Sequence, residues 1–116
     1  MNKTKQIEIG GKVYTLTSKR SIIVNMGKYA PELLNINKND NENARFELGA
    51  ILYDNMNNLF YEMIKVEHPN ISKQESDKIY EAFCEEYNDV EEHLLEFIDS
   101  TFTEGIPREN KKTIIW

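Results

Sequence analysis

The sequence predicts an α+β, mostly helical protein: an N-terminal β-hairpin packed on a bundle of about three helices, the last two long and antiparallel. Three observations carry that expectation. A Gly-Gly pair separates two alternating segments near the start. Two long stretches then repeat their apolar residues with the helical period, and a His-Pro break followed by a capping box divides those stretches. At 116 residues the default is one domain, 1–116, with the hairpin at 6–17, a helical region at 18–104 and a short tail at 105–116.

The hairpin rests on residues 7–17, Ile-Glu-Ile-Gly-Gly-Lys-Val-Tyr-Thr-Leu-Thr. Ile7 and Ile9 alternate with Glu8, and Leu16 lies between threonines. A two-residue reversal needs positive φ, which glycine accepts without steric cost, so Gly10-Gly11 marks the turn. An isolated hairpin is marginally stable in water and must lie on the rest of the fold. Ser18 is placed to cap a helix running through Ser21–Met26. Pro31 either kinks that helix or opens a second short one at its first turn, and the new start is preferred. In residues 35–43 six of nine side chains are Asn or Asp, which compete for their own backbone and make a solvated loop.

Residues 44–67 form the clearest helical pattern. Leaving out Ile51, its apolar members cover an arc of about 200°, roughly twice the stripe that packing on one surface requires. Such a helix is either central, covered by several neighbours, or it keeps part of its apolar side for a partner. Tyr53, Met56, Phe60 and Met63 are the candidate partner-binding residues, because methionine adapts to variable surfaces; core packing is the competing reading. His68-Pro69 stops the helix, since the residue before proline is pushed out of helical geometry. Ser72-Lys-Gln-Glu75 is a capping box, and the next helix runs from about Lys73 to Thr103. Its apolar phase does not slip across Asn88-Asp89, although that pair is also able to cap a fresh helix. Gly105-Ile-Pro107 ends it, and the tail Lys111-Lys-Thr-Ile-Ile-Trp116 either adds a strand to the hairpin or lies free.

Charge narrows the function classes. The formal net charge is −6, and it is unevenly placed: residues 1–40 carry seven Lys/Arg against three acids, residues 41–116 seven against seventeen. An acidic chain without a basic patch is a poor match for phosphate backbones, so nucleic acid is not an expected partner. No apolar run approaches the length of a membrane span, and the start shows no apolar leader. The single Cys84 permits neither an internal disulfide nor a thiolate metal cluster, which points to a reducing compartment. It lies at the edge of an apolar arc and reads as half-buried packing rather than a reactive thiol.

The last helix carries an acidic face that includes Glu85, Asp89, Glu92 and Glu96. On the same face Glu86, Asp89, His93 and Glu96 align along one line, but a carboxylate-bridged metal site draws matching ligands from other helices. The face therefore reads as solvated, with no metal and no cofactor. Residues 67–104 hold twelve acids and two bases, and a regular acidic stripe can imitate a phosphate array in a basic groove. No nucleophile elbow, phosphate-cradling glycine loop or Cys/His/acid grouping is present, so the chain does not read as an enzyme.

The order of pieces carries a resemblance. An Ile-x-Ile-Gly-Gly-Lys-x-Tyr-x-Leu hairpin is followed by a helix, a variable loop and a long apolar helix. Then His68-Pro69-Asn70-Ile71-Ser72-Lys73-Gln74-Glu75 leads into an acidic final helix. This resembles the small tail assembly chaperones of long-tailed bacteriophages, especially those of low-GC Gram-positive hosts. The resemblance implies a non-enzymatic protein of the host cytoplasm that binds and solubilises the tape measure protein, helps recruit tail tube subunits and is absent from the mature virion. The broad apolar face of the middle helix suits such a client, with Tyr53, Met56, Phe60 and Met63 as the contact expected from that face; a homo-oligomer and a frameshifted longer form stay open. The alternative is a small acidic phage protein that inhibits a host defence or nucleic-acid-binding complex through its acidic helix face.

Overall fold

A computed structural model describes residues 3–33 and 42–104, with side chains over 3–33 and 47–101. Strands β1 (Lys3–Ile9) and β2 (Lys12–Ser18) pair antiparallel in one two-stranded sheet, from Lys3 opposite Ser18 to Ile9 opposite Lys12. The turn is the expected pair, with φ of 59° at Gly10 and 80° at Gly11, as a tight two-residue hairpin requires. The ladder runs beyond 6–17 at both ends because the pairing continues through polar residues. Helices α1 (Arg20–Met26), α2 (Glu42–Tyr53), α3 (Met56–Ile64), α4 (Lys73–Glu86) and α5 (Val90–Glu104) follow.

Both long rods are divided. The stretch 44–67 is α2 and α3, which meet at Asp54-Asn55. The Asn55 side chain donates to the Ile51 carbonyl at 2.9 Å, taking the acceptor that its own amide would use. That amide goes to Leu52 O instead, and α3 restarts with Leu59 N–H on Asn55 O. An asparagine side chain that competes for an acceptor of the preceding turn weakens the helix there, and here the helix divides at that point. The final stretch is α4 and α5, separated at Tyr87–Asp89, where Asp89 has a φ of 59°. α3 packs on α4 while α2 packs on α5, so the two broken rods lie antiparallel as expected. The capping box is present, with Glu75 N–H on Ser72 Oγ at 3.0 Å and Ser72 N–H on Glu75 Oε1 at 3.2 Å. Glu42 and Asn43 are already helical rather than loop. The remainder of the Asn-rich loop, the continuation of the turn around Pro31 beyond Leu33, and the tail lie outside the described residues.

Ser18 does not cap α1. The cap position is Lys19, with no side-chain bond, and Ser18 is fully buried. Its hydroxyl donates to Phe97 O at 3.2 Å and shares a 2.6 Å hydrogen bond with the Thr101 hydroxyl, tying the end of β2 to α5. Three further bonds fasten the hairpin to the helices. Thr15 N–H donates to His68 Nε2 at 3.2 Å, Tyr87 O–H to Glu8 O at 2.6 Å and Gly10 N–H to Glu86 Oε2 at 2.8 Å. Ile9 and Leu16 complete the attachment by entering the core.

At the centre of that core lies α3, whose Met56, Leu59, Phe60, Met63 and Ile64 are all buried. It is covered by β2, α1 and α4 on different sides. Phe60 has ring contacts with Tyr80 at 5.3 Å and Phe83 at 5.9 Å, and Phe83 meets Tyr87 edge-on at 5.4 Å.

The turn yields a test. A Cβ built on Gly11 meets nothing within 4 Å, so only its backbone angle resists substitution. Gly11→Ala should lower unfolding free energy by about 1–2 kcal/mol in urea titrations, whereas a neutral outcome would mean that the hairpin closes through some other turn.

Candidate functional site

The four apolar residues expected to meet a partner do not form a surface. Phe60 and Met63 are fully buried and Met56 nearly so; only Tyr53 is open, at 51% exposure. The reason is the number of neighbours. The wide arc is satisfied within the chain by a strand and two helices, so the central alternative is the one realised, and the partner-binding assignment of Met56, Phe60 and Met63 is corrected. Tyr53 falls at the last residue of α2, just before the Asn55 break, which carries it away from the core.

The acidic residues fare differently. Glu85, Asp89, Glu92 and Glu96 are all exposed. They do not make one straight stripe, because Glu85 belongs to α4, Asp89 to the left-handed elbow, and Glu92 and Glu96 to α5. Glu86 is engaged structurally as the acceptor for the hairpin turn, and His93 Nδ1 lies 3.9 Å from Glu96 Oε1. Among the described residues no three His, Cys, Asp or Glu side chains converge as a metal site would require. Cys84 is exposed, which corrects the half-buried packing expected of it. What burial its thiol retains pushes its pKa up, a bond from Tyr80 opposes this without reversing it, and the neighbouring Glu91 adds to the rise. The thiolate needed for nucleophilic work is therefore disfavoured.

An apolar opening among the described residues lies elsewhere. α1, α2 and α5 leave between them a groove of about 260 Å³. Its floor is Ile23, Leu52 and Ile98, and its walls are the half-buried Leu48 and Leu95. Gly49 lies on the α2 side, where a built Cβ would meet nothing within 4 Å. Glu96 and Asp99 bring carboxylates to the α5 side. Pockets for drug-sized molecules begin near 300 Å³, so this one suits a few inserted side chains. Periodicity could not find it, because it depends on how far apart the rods are held.

Glu62 is a second feature that the sequence pattern passes over. It is buried on α3, facing α1. Its Oε2 accepts from Tyr29 O–H at 2.8 Å and from Lys65 Nζ at 3.0 Å, and Lys28 Nζ lies 3.1 Å away. Oε1 has no partner. Burial alone would raise the Glu62 pKa, but the bonds from Tyr29, Lys65 and Lys28 outweigh it and leave the carboxyl below its ordinary value. Tyr29 is pushed up to about 12, by burial first and then by the carboxylate it serves. The cluster locks the segment after α1 onto the central helix.

The signs of these shifts fix the pH dependence. A depressed carboxyl stabilises the fold above its ordinary pKa of 4.5, and that contribution is lost as pH falls through the lower folded value. A raised tyrosine stabilises it below about 10 and loses the contribution as pH rises through about 12. Tyr29→Phe should cost about 1.5–3 kcal/mol at neutral pH, the range for a hydrogen bond to a charged group. The stability gap between wild type and Glu62→Gln should narrow on acidification in urea titrations; a gap independent of pH would contradict the assignment.

Among the described residues no helix is long and apolar enough to cross a membrane. Comparison with family models, with curated proteins and with solved structures gives no match for this chain.

Proposed function

We propose that this chain is a non-enzymatic tail assembly chaperone of a long-tailed phage, acting in the host cytoplasm on the tape measure protein and absent from the finished virion. The order of hairpin, helix, variable loop and paired long helical stretches supports the reading. So does the one observation that carries it physically: a side-chain-sized apolar groove between α1, α2 and α5 on a fold whose central helix is otherwise sealed. A tape measure offers repeated amphipathic helices that aggregate when bare. A groove with Leu48 and Leu95 as walls receives apolar side chains of such a helix, and the carboxylates of Glu96 and Asp99 on its α5 side favour basic residues flanking them. Many copies along one client would each bind weakly and hold firmly together. Recruitment of tail tube subunits belongs to the same proposal.

The exposure of Glu85, Asp89, Glu92 and Glu96 favours a second reading, an acidic inhibitor of a host nucleic-acid-binding complex. Glu85 and Glu92 lie outside the groove, so reversing both to Lys separates the two readings. An inhibitor loses its partner and shows strong salt dependence, whereas a groove-binding chaperone retains its client.

Gly49→Leu tests the groove without weakening the fold. Replacing a helix-interior glycine that has open space above it should raise stability by about 0.5–1 kcal/mol while filling the cavity. Co-expressed with the tape measure protein, wild type should keep that protein soluble and Gly49→Leu should not. Equal solubility of the tape measure with wild type, with Gly49→Leu and with neither would overturn the chaperone reading.

A further inference from the structure

We infer that the free edge of β1, together with the flank of α5 beside it, binds an extended peptide of a partner protein. The peptide adds as an antiparallel strand and carries an apolar residue followed two positions later by a carboxylate. The hairpin register fixes which main-chain groups are available. Ile9 and Lys12 close the two-residue turn as a bonded pair, so the bonded positions of β1 are Ile9, Ile7, Lys5 and Lys3. Thr4, Gln6 and Glu8 therefore turn their main-chain groups away from β2. Two bonds bear this alternation out. The Glu8 carbonyl accepts from Tyr87 O–H, and Thr15, opposite Gln6, sends its N–H outward to His68 Nε2. Thr4 and Gln6 are exposed and offer an added strand two donors and two acceptors, while Tyr87 closes the Glu8 end of the edge.

Side chains of the added strand alternate between two faces. Those opposite Ile7 and Lys5 point toward α5, because Ile7 packs on the core and Lys5 Nζ lies over the Phe97 ring at 5.4 Å. Each meets a cavity. Beside Ile7 is one of about 170 Å³, lined by Phe83, Val90, Leu94 and Phe97 and bordered by the exposed Lys5 and His93. An apolar cavity of about 150 Å³ accepts a benzene ring, so this one takes a single leucine- or phenylalanine-sized side chain. Beside Lys5 is a wider basin of about 470 Å³, with Lys3, Thr4 and Lys5 on the strand and His93, Glu96 and Ser100 on the helix. The strand wall is cationic, and the Glu96 carboxylate on the helix wall stands 3.9 Å from His93 Nδ1. A peptide carboxylate opposite Lys5 makes an opposite-charge cross-strand pair. The two cavities share Lys5, His93 and Phe97, so they adjoin along the strand. In an antiparallel partner the residue opposite Ile7 precedes the one opposite Lys5 by two, which sets the order apolar, any residue, acidic. Main-chain bonds supply the affinity of such strand addition and the alternate side chains its specificity.

A second copy of β1 is the competing occupant, and the antiparallel registers built on Thr4 and Gln6 are unfavourable to it. Pairing Gln6 with Gln6 brings Thr4 opposite Glu8, whose carbonyl Tyr87 already holds, and sets the charged Lys5 opposite Ile7 beside the apolar cavity. Pairing Gln6 with Thr4 sets Lys5 opposite Lys5, and pairing Thr4 with Thr4 sets it opposite Lys3. Like charges directly opposite are destabilising. A partner peptide with a carboxylate at that position meets neither obstacle. Apart from Glu96, the residues along this edge differ from those of the groove between α1, α2 and α5, so strand addition here does not depend on what that groove holds.

The probe is a fluorescein-labelled, terminally blocked peptide, Thr-Leu-Thr-Glu-Thr-Glu, titrated into the full chain at low salt. In the paired register its leucine faces the smaller cavity, its first glutamate lies opposite Lys5, and the threonine between them lies opposite Gln6. Anisotropy should rise to saturation. In nitrogen-15 spectra the amides of Thr4 and Gln6 should shift most and exchange more slowly with solvent. N-methylation of that threonine removes the donor to the Gln6 carbonyl and leaves the protein untouched; it should weaken binding roughly tenfold or more. Gln6→Pro removes the outward donor and spares the ladder to β2, so binding should be lost with the far-ultraviolet circular dichroism retained. Lys5→Glu should weaken the peptide several-fold and favour its counterpart with lysine in place of the first glutamate. Absence of saturable binding up to millimolar peptide overturns the proposal. Equal affinity for the methylated peptide overturns it, because strand pairing does not survive that change. Shifts confined to Leu48, Gly49 and Leu95 do so by placing the peptide in the other groove. Slowed exchange of Thr4 and Gln6 that grows with protein concentration in the absence of peptide also overturns it, by assigning the edge to a second copy.

Discussion

Nine residues of α3 set the conditions for the rest of the molecule. A helix with Met56, Leu59, Phe60, Met63 and Ile64 buried around most of its circumference is costly to leave in water; each such side chain is worth about 1.5–3 kcal/mol when removed from solvent. A single neighbour covers only a stripe, so the chain brings three. β2 delivers Leu16, α1 delivers Ile22 and Met26, and α4 delivers Phe83. The hairpin, which would not persist alone, is stabilised by the same act, because its apolar side becomes one wall of the enclosure. Even the buried carboxylate of Glu62 follows from this arrangement, since it lies where α3 meets the end of α1 and is held ionised by Tyr29, Lys28 and Lys65.

The elements that could be read from residue order are those whose cause is local. Two consecutive glycines in a hairpin turn, a serine and a glutamate three positions apart, and a histidine before proline each act over a few residues, and each feature appears where expected. The divisions of the two rods were not readable, for a specific reason. Phe83 and Val90 keep nearly the same angular phase, so periodicity passes across Tyr87–Asp89 as if the helix were continuous. The interruption there depends on Asp89 adopting a left-handed angle and on Tyr87 reaching across to the Glu8 carbonyl. At Asn55 the signal was present, as an asparagine in mid-helix, but its weight depends on whether the side chain finds the Ile51 carbonyl or solvent.

Function divides along the same line. The excess of apolar residues on the middle stretch was legible, and so was the choice it posed between a central position and a reserved partner surface. Which alternative holds depends on how many elements converge on Phe60, a long-range property that no helical projection contains. Once those contacts are in place, the apolar surface available to a partner shifts by one helix, from the face of α3 to the gap flanked by Leu48 of α2 and Leu95 of α5. Gly49 borders the gap, and its missing side chain leaves space that no neighbouring atom fills within 4 Å. The acidic residues, by contrast, were placed correctly at the surface, since charged side chains stay in water unless paired.

The central claim is that α3 is enclosed by its own chain and never offered to another. Native-state hydrogen exchange, followed amide by amide across rising denaturant, tests it most directly. Enclosure from three sides predicts that the amides of Leu59, Phe60 and Met63 exchange only through global unfolding, with an opening free energy equal to that of the whole fold. Exchange of those amides through a cheaper, denaturant-sensitive opening, while the hairpin and α4 stay protected, would show a face that comes free in the native state and would contradict the account.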